Sequence, residues 1–335
     1  MTTDLSAGKA RVTRGHCYLL LAASVMTCLQ VTMGGVVCVT ASAAGCPDWP
    51  GCYGRIIPPP QVNAIIEYLH RFVAALTSPL ILAAAVVSWR QARSIRWLSR
   101  PPALALVFLL AVIVFGALTV LRGLPPVLAA IDLGSALVVL ALMLLATVVA
   151  FARQARPDLP DQPGGGGFAR LSLAALGAVF LVYVGGILVA GKGSLTRCLS
   201  WPMWRLIPGD LAGWPQIVRL ALALVSALLI AAVVVQAWRT QRRQPALLRM
   251  ATLVGLLFLV EMAAGAAMLA GGSNVFLLVL YVAAAAALWA LLVVLVVLAE
   301  LGPAGQPYRR AFERPAPRRR PRSGTTGAVP PAAQP

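Results

Sequence analysis

Long apolar runs, broken by short polar or arginine-rich segments, set the pattern of this chain. Eight can be drawn, at 17–39, 64–88, 102–121, 127–150, 171–190, 214–237, 251–270 and 275–299. A helix needs about 20 residues to cross a ~30 Å hydrocarbon core, so each run is long enough to span a bilayer. Only Gly123 to Pro126 separates the third run from the fourth, and Gly271 to Asn274 the seventh from the eighth, so each pair is an antiparallel hairpin. Backbone groups in lipid must bond internally, which excludes open sheets and predicts an all-α integral membrane protein.

Composition agrees, with 60% of the 335 residues apolar and 11% charged. A net charge of +18 would suggest a nucleic-acid partner in a soluble protein, but the placement of arginine excludes it here. Lys9, Arg11 and Arg14 precede the first run. Arg90, Arg93, Arg96 and Arg100 follow the second, Arg153, Arg156 and Arg170 flank the gap between the fourth and fifth, and Arg239, Arg242, Arg243 and Arg249 follow the sixth. The opposite side carries Arg55, Arg122, Lys192, Arg197 and Arg205, so the positive-inside rule predicts a plasma-membrane protein with both termini cytoplasmic. Residues 1–16 are then a cytoplasmic N-terminus. Residues 301–335 form a basic, proline-rich tail whose composition predicts disorder and contact with anionic lipid. The Ala-Ser-Ala-Ala sequence at 41–44 imitates a signal-peptidase site, but the apolar run before it is too long for a secretory signal and reads as a retained anchor.

A weak internal repeat has a period of about 150 residues. Gly34-Gly35 corresponds to Gly185-Gly186, Cys46 to Cys198, Trp49-Pro50 to Trp201-Pro202, Ile57-Pro58 to Ile207-Pro208, Arg71 to Arg219 and Gly116 to Gly265. Four helices per unit is an even number, so both units enter from the same side as parallel repeats. The architecture expected is two four-helix bundles, 17–152 and 171–300, joined by a cytoplasmic linker at 153–170 whose Pro163 to Gly167 stretch is flexible.

The segments 40–63 and 191–213 are the long loops of the outer face and are expected to cap their bundles. Cys46 and Cys52 flank Pro47-Asp48-Trp49-Pro50-Gly51 on the oxidising side, which predicts a disulfide. Cys198 has no companion in its own loop, because Trp204 stands where Cys52 would be matched. Cys17, Cys28 and Cys38 fall in the first helix and read as small apolar side chains.

Ionisable residues in a membrane span are costly and each is a functional candidate. Glu67 and His70 stand three apart on one face of the second helix. Asp132 in the fourth lies at a comparable depth, Arg71 is available to neutralise either carboxylate, and Glu261 lies in the seventh. His16, at the cytoplasmic edge, reads as solvated. A His opposite a second ligand on another helix is how a four-helix bundle holds a metal or heme, while a lone membrane His is more often a hydrogen-bonded structural residue.

The stretch from Gly34-Gly35 through Gly45-Cys46-Pro47-Asp48-Trp49-Pro50-Gly51-Cys52-Tyr53-Gly54, Ile57-Pro58-Pro59 and Glu67-Tyr68-Leu69-His70-Arg71 resembles the first outer loop and second helix of the heme A synthase family. A fainter likeness extends over most of 17–300. The resemblance implies oxidation of the C8 methyl of heme O to the formyl of heme A, for cytochrome oxidase. Heme is then substrate and cofactor, and heme O synthase or oxidase subunits are partners. Members carry a His in the second and fourth helix of each repeat, one pair at the substrate heme in the first repeat and the other ligating a heme b in the second. His70 matches the first of these, as a ligand of the heme iron, and Glu67 the acidic residue one turn before it, giving Glu67 and His70 as catalytic candidates. The other three positions depart, with Asp132, Val218 and Tyr281 in place of His. Val218 cannot bind iron and Tyr281 would have to ionise to do so, which leaves Asp132 and Tyr281 as weak cofactor-binding candidates and the heme b site absent. A divergent synthase and a non-catalytic heme-binding or assembly factor both fit these departures.

Overall fold

The computed structural model describes residues 12–157, 159, 164–189, 198, 201 and 213–302. Among them eight helices are long and apolar enough to cross a membrane: α1 Arg14–Val39, α2 Val62–Ala92, α3 Arg96–Leu121, α4 Pro126–Ala155, α5 Gly167–Val189, α6 Trp214–Thr240, α7 Pro245–Gly271 and α8 Val275–Leu301. The protein is an all-α integral membrane protein. Each apolar run lies within one helix, except that residue 190 falls outside the described residues. The helices run past the apolar stretches at the arginine-rich end, where α2 reaches Ala92, α3 begins at Arg96 and α4 reaches Ala155. Backbone hydrogen bonding continues there into the interface, and long basic side chains keep their stems on the helix and their charges in water.

Helix starts follow local chemistry. The Thr13 hydroxyl oxygen accepts the His16 N–H at 3.2 Å and the Asn274 side chain accepts the Leu277 N–H at 2.9 Å. Pro126, Pro215 and Pro245 occupy the first turns of α4, α6 and α7, where no N–H partner is needed.

The same neighbour pattern occurs in two sets of four. α1 packs on α2 and α4, and α3 on α2 and α4; α5 packs on α6 and α8, and α7 on α6 and α8. The sets meet through α1, α4, α5 and α8. α4 and α8 are the most buried spans and α3 the least. A hydrogen bond crosses this junction, from Trp289 Nε1–H to the Leu137 carbonyl at 3.1 Å, and the helices approach closely, since a Cβ on Gly35 would come within 2.9 Å of Val282 Cβ. In the linker, the Gly164 N–H donates to the Glu300 carbonyl at 2.9 Å and Gly167 opens α5; Pro163 and the basic tail lie outside the described residues.

Two readings of single residues are corrected. Cys198 does have a partner: it is disulfide-bonded to Cys38, with Cα atoms 5.6 Å apart, joining the last turn of α1 to the loop before α6. Cys38 is in the first helix but at its outer end, so its thiol reaches a loop rather than lipid. His16 is not solvated. It is 2% exposed, with Nε2 2.8 Å from the Ser88 hydroxyl on α2, because α1 and α2 stay packed to their arginine-rich ends. Cys17 and Cys28 are free thiols, buried and half-buried.

Candidate functional site

The outer loop of the first half closes on α2. Cys46 and Cys52 are disulfide-bonded as expected, with both sulfurs buried against Ala64. Gly45 has no room for a side chain, since a Cβ there would sit 2.5 Å from the Asn63 carbonyl oxygen. Asp48 turns the loop back on itself by accepting the Tyr53 N–H at 2.7 Å and the Gly54 N–H at 2.5 Å. The Gly54 hydrogen bond above all holds the Asp48 carboxyl below its usual range.

Arg71 is the hub between this loop and the membrane interior. Its Nε–H donates to Glu67 Oε1 at 3.0 Å, one turn back on α2. Its terminal nitrogens donate to the carbonyls of Asp48 at 2.7 Å, of Cys46 at 3.2 Å and of Gly51. The guanidinium fork suits this task, since its donors are fixed in one plane and can hold a carboxylate and several carbonyls together. Glu67 is therefore an anchored carboxylate, only 4% exposed.

One residue before Arg71, His70 faces α1. The Gln30 side-chain nitrogen lies 3.2 Å from His70 Nδ1 and 3.3 Å from Nε2. A Cβ at Gly34 would meet His70 Cε1 at 3.3 Å, so the glycine lets the ring lie against the α1 backbone. Gln30 escapes a search limited to ionisable residues; the signal for it is a polar residue four positions before Gly34, on the same face of α1.

Asp132 lies six residues into α4, about 9 Å along its axis. It faces Gly116 of α3, where a Cβ would stand 3.5 Å from Oδ1, and is close enough to Glu67 for their charges to interact. Its Oδ1 is buried without a hydrogen-bond partner, as is Gln30 Oε1, so the carboxylate does not hydrogen-bond His70 through that atom. The structure thus gathers Gln30, Glu67, His70 and Arg71 where α1 and α2 meet, with Asp132 in electrostatic range. Gln30 Oε1 is an orphaned acceptor on the residue that touches the imidazole, and such an acceptor suits a guest with an electron-poor or cationic centre, as a heme iron at His70 would be.

The matching positions in the second half do not fit a heme. Val218 has no ligating atom and its side chain is 55% exposed on the flank of α6. Tyr281, equally deep in α8, is fully buried, and its hydroxyl oxygen accepts the Trp201 N–H at 2.9 Å. Arg219 and Glu261 are its charged neighbours. A Cβ on Gly186 would lie 3.1 Å from an Arg219 terminal nitrogen.

Comparison with known proteins identifies the family. Residues 17–293 match the model of the family described as Cytochrome oxidase assembly protein. The chain belongs to that family. It is 29% identical over 250 residues to the heme A synthase of Bacillus licheniformis, covering 71% of this chain and 81% of the relative. It is 30% identical over 259 residues to that of Geobacillus thermodenitrificans, covering 74% and 80%. The heme A synthase of Lysinibacillus sphaericus is 32% identical over 189 residues, covering 55% and 61%. The chain is thus a divergent member of the heme A synthase family.

Proposed function

We propose that the protein binds the iron of heme O at His70 and oxidises the C8 methyl to the formyl of heme A. The reading carries with it two parallel four-helix repeats in the plasma membrane with both termini cytoplasmic. The observation that supports the site most is the His70 imidazole itself, laid against Gly34 with the Gln30 side chain at hydrogen-bond distance and Gln30 Oε1 buried without a partner. Net, R–CH3 plus water gives R–CHO, four electrons and four protons. Asp132, whose free oxygen is not held in an ion pair, is the carboxylate suited to accept a proton. Glu67, held by Arg71, serves chiefly to fix the charge balance next to the iron and the position of the outer loop. To support ligation, the Gln30 amide would turn its Oε1 to the imidazole and accept the N–H of the ring nitrogen that does not face the metal. Dioxygen, reduced by those four electrons and four protons to two waters, would balance the reaction as the external oxidant.

A second reading, binding and delivery of heme during oxidase assembly without oxidation, is favoured by one observation: the fully packed Tyr281. Heme extraction and chromatography from cells that make heme O, lack their own heme A synthase and express this protein separates the two. Appearance of heme A, lost in His70→Ala, supports oxidation. Absence of heme A with a Soret band that His70→Ala removes supports delivery, and a Soret band unchanged by His70→Ala rules out His70 as the ligand in either reading.

A further inference from the structure

The loop between α1 and α2 ends in an apolar tip that the His70 recess does not use. Cys52 and Arg55 pair across a two-residue hairpin turn: the Cys52 N–H donates to the Arg55 carbonyl at 3.1 Å and the Arg55 N–H to the Cys52 carbonyl at 3.2 Å. The central residues, Tyr53 and Gly54, have φ of 56° and 69°. Glycine takes this left-handed conformation freely, whereas a tyrosine there is strained, and its ring is left exposed rather than packed in a core. Ile56 and Ile57, which follow, are 84% and 77% exposed. The tip is held firmly, since Cys52 is bonded to Cys46 and packs on Ala64, while Asp48 and Arg71 tie the rest of the loop. Ala64 belongs to the first turn of α2, so the tip stands at the level where that helix begins.

The same helix shows what apolar surface meets at that level. Val62, Ile65, Leu69, Phe72 and Leu76 are exposed at intervals of three and four residues, which makes one stripe of α2 turned away from Glu67 and His70. In an integral membrane protein such a stripe faces lipid, and it starts with the first residue of the helix. We propose that the Ile56-Ile57 tip continues this lipid contact and dips into the hydrocarbon edge of the leaflet on its side. The Tyr53 ring and the Arg55 guanidinium then lie among the headgroups, where an amphipathic ring is favoured and a cation meets lipid phosphate. A contiguous apolar patch on a braced loop is a membrane or partner contact rather than ordinary surface, and its continuity with the stripe of α2 selects the membrane. Anchored in this way, the loop gives Arg71 a fixed base from which to hold Glu67. The inference is independent of the heme reading.

Nitroxide accessibility in the full chain tests this, in liposomes of phosphatidylcholine and phosphatidylglycerol and with the free thiols removed by Cys17→Ser and Cys28→Ser. Labels are placed singly through Ile56→Cys and Ile57→Cys. Phe72→Cys is the lipid-facing reference, and Arg243→Cys, exposed in the turn between α6 and α7, is the aqueous one. The ratio of collisions with oxygen, which concentrates in hydrocarbon, to collisions with a water-soluble nickel chelate should lie nearer the Phe72 value than the Arg243 value at both tip positions. A ratio at the Arg243 value would overturn the proposal by placing the tip in water. Low collision with both reagents would overturn it as well, by showing the tip covered by a second copy or another protein. Because an added thiol beside Cys46 and Cys52 can misdirect their pairing, Ile57→Trp gives a second reading without one. Its added fluorescence should be quenched more by phospholipid brominated just below the headgroup than by aqueous iodide, and the reverse order, or quenching by neither, sinks the idea.

Discussion

The two halves of this molecule use corresponding positions for opposite ends. In α2 an arginine one residue after His70 ties the outer loop to a carboxylate, and the imidazole beside it faces a glycine and an amide. In α6 the corresponding arginine, Arg219, also lies against a glycine, but the residue before it is an outward-facing valine. Asp132 leaves an oxygen unsatisfied at its depth in α4, whereas Tyr281 at the same depth in α8 is fully buried and its oxygen takes a backbone N–H. A buried polar atom without a partner costs about 1–3 kcal/mol. Such atoms are not confined to the first half, since Gln216 Oε1 and Trp201 Nε1 also lack partners, so what sets the first half apart is an imidazole against a glycine and an amide.

Breaking the hub of the first half should give the largest effect. Arg71→Met removes an ion pair whose side chains are 12% and 5% exposed, together with three carbonyl contacts, and leaves Glu67 as a buried charge. The expected loss is about 3–5 kcal/mol, read by unfolding in mixed detergent micelles, because removing one partner strands the other. A loss under about 1 kcal/mol would mean that the loop is held by its disulfide alone and that the two halves differ less than their contacts suggest.

How much of this contrast is legible in the sequence depends on the range of the interaction. The eight spans follow from apolar length, and Cys46–Cys52 from six residues of separation on the oxidising side. The partnership of Arg71 with Glu67 is an i, i+4 pair on one helix, but the sequence leaves Asp132 as an equal candidate and only the packing decides between them. Cys38–Cys198 cannot, because its members are 160 residues apart and only the packing of α1 against the second half brings them together. Gln30 is only half legible for a related reason: its place four residues before Gly34 marks a face of α1, but nothing local to it says that His70 lies opposite. His16 misleads because a polar residue beside an arginine reads as surface until Ser88 of α2 is seen to cover it.

The second half offers a smaller effect of the opposite kind. Tyr281→Phe keeps the ring and its packing but leaves the Trp201 N–H without its acceptor, so a destabilisation of about 1–2 kcal/mol is expected by the same unfolding assay. Heme content should not change. A heme content that falls with Tyr281→Phe would show that the tyrosine oxygen serves a bound group and that the second half is a site after all.

The smallest effect concerns the outer loop of the first half, which is tied down through an acid. Hydrogen bonds from Gly54 and Tyr53 hold the Asp48 carboxyl below the usual aspartate range near 3.9. A depressed folded value means that the unfolded chain binds the proton first as pH falls. The stabilisation is therefore complete above about pH 4 and is lost as pH drops through the lower folded value. Hydrogen exchange at the Tyr53 and Gly54 amides should accelerate over that interval relative to the loss of base catalysis, while Asp48→Asn should show no such interval. Because Asp48 is at the surface and its loop is also held by Arg71 and the disulfide, the change should stay local to the loop. Acidification that instead released the His70 recess would mean that the carboxylate, rather than the guanidinium, is what couples this loop to the site.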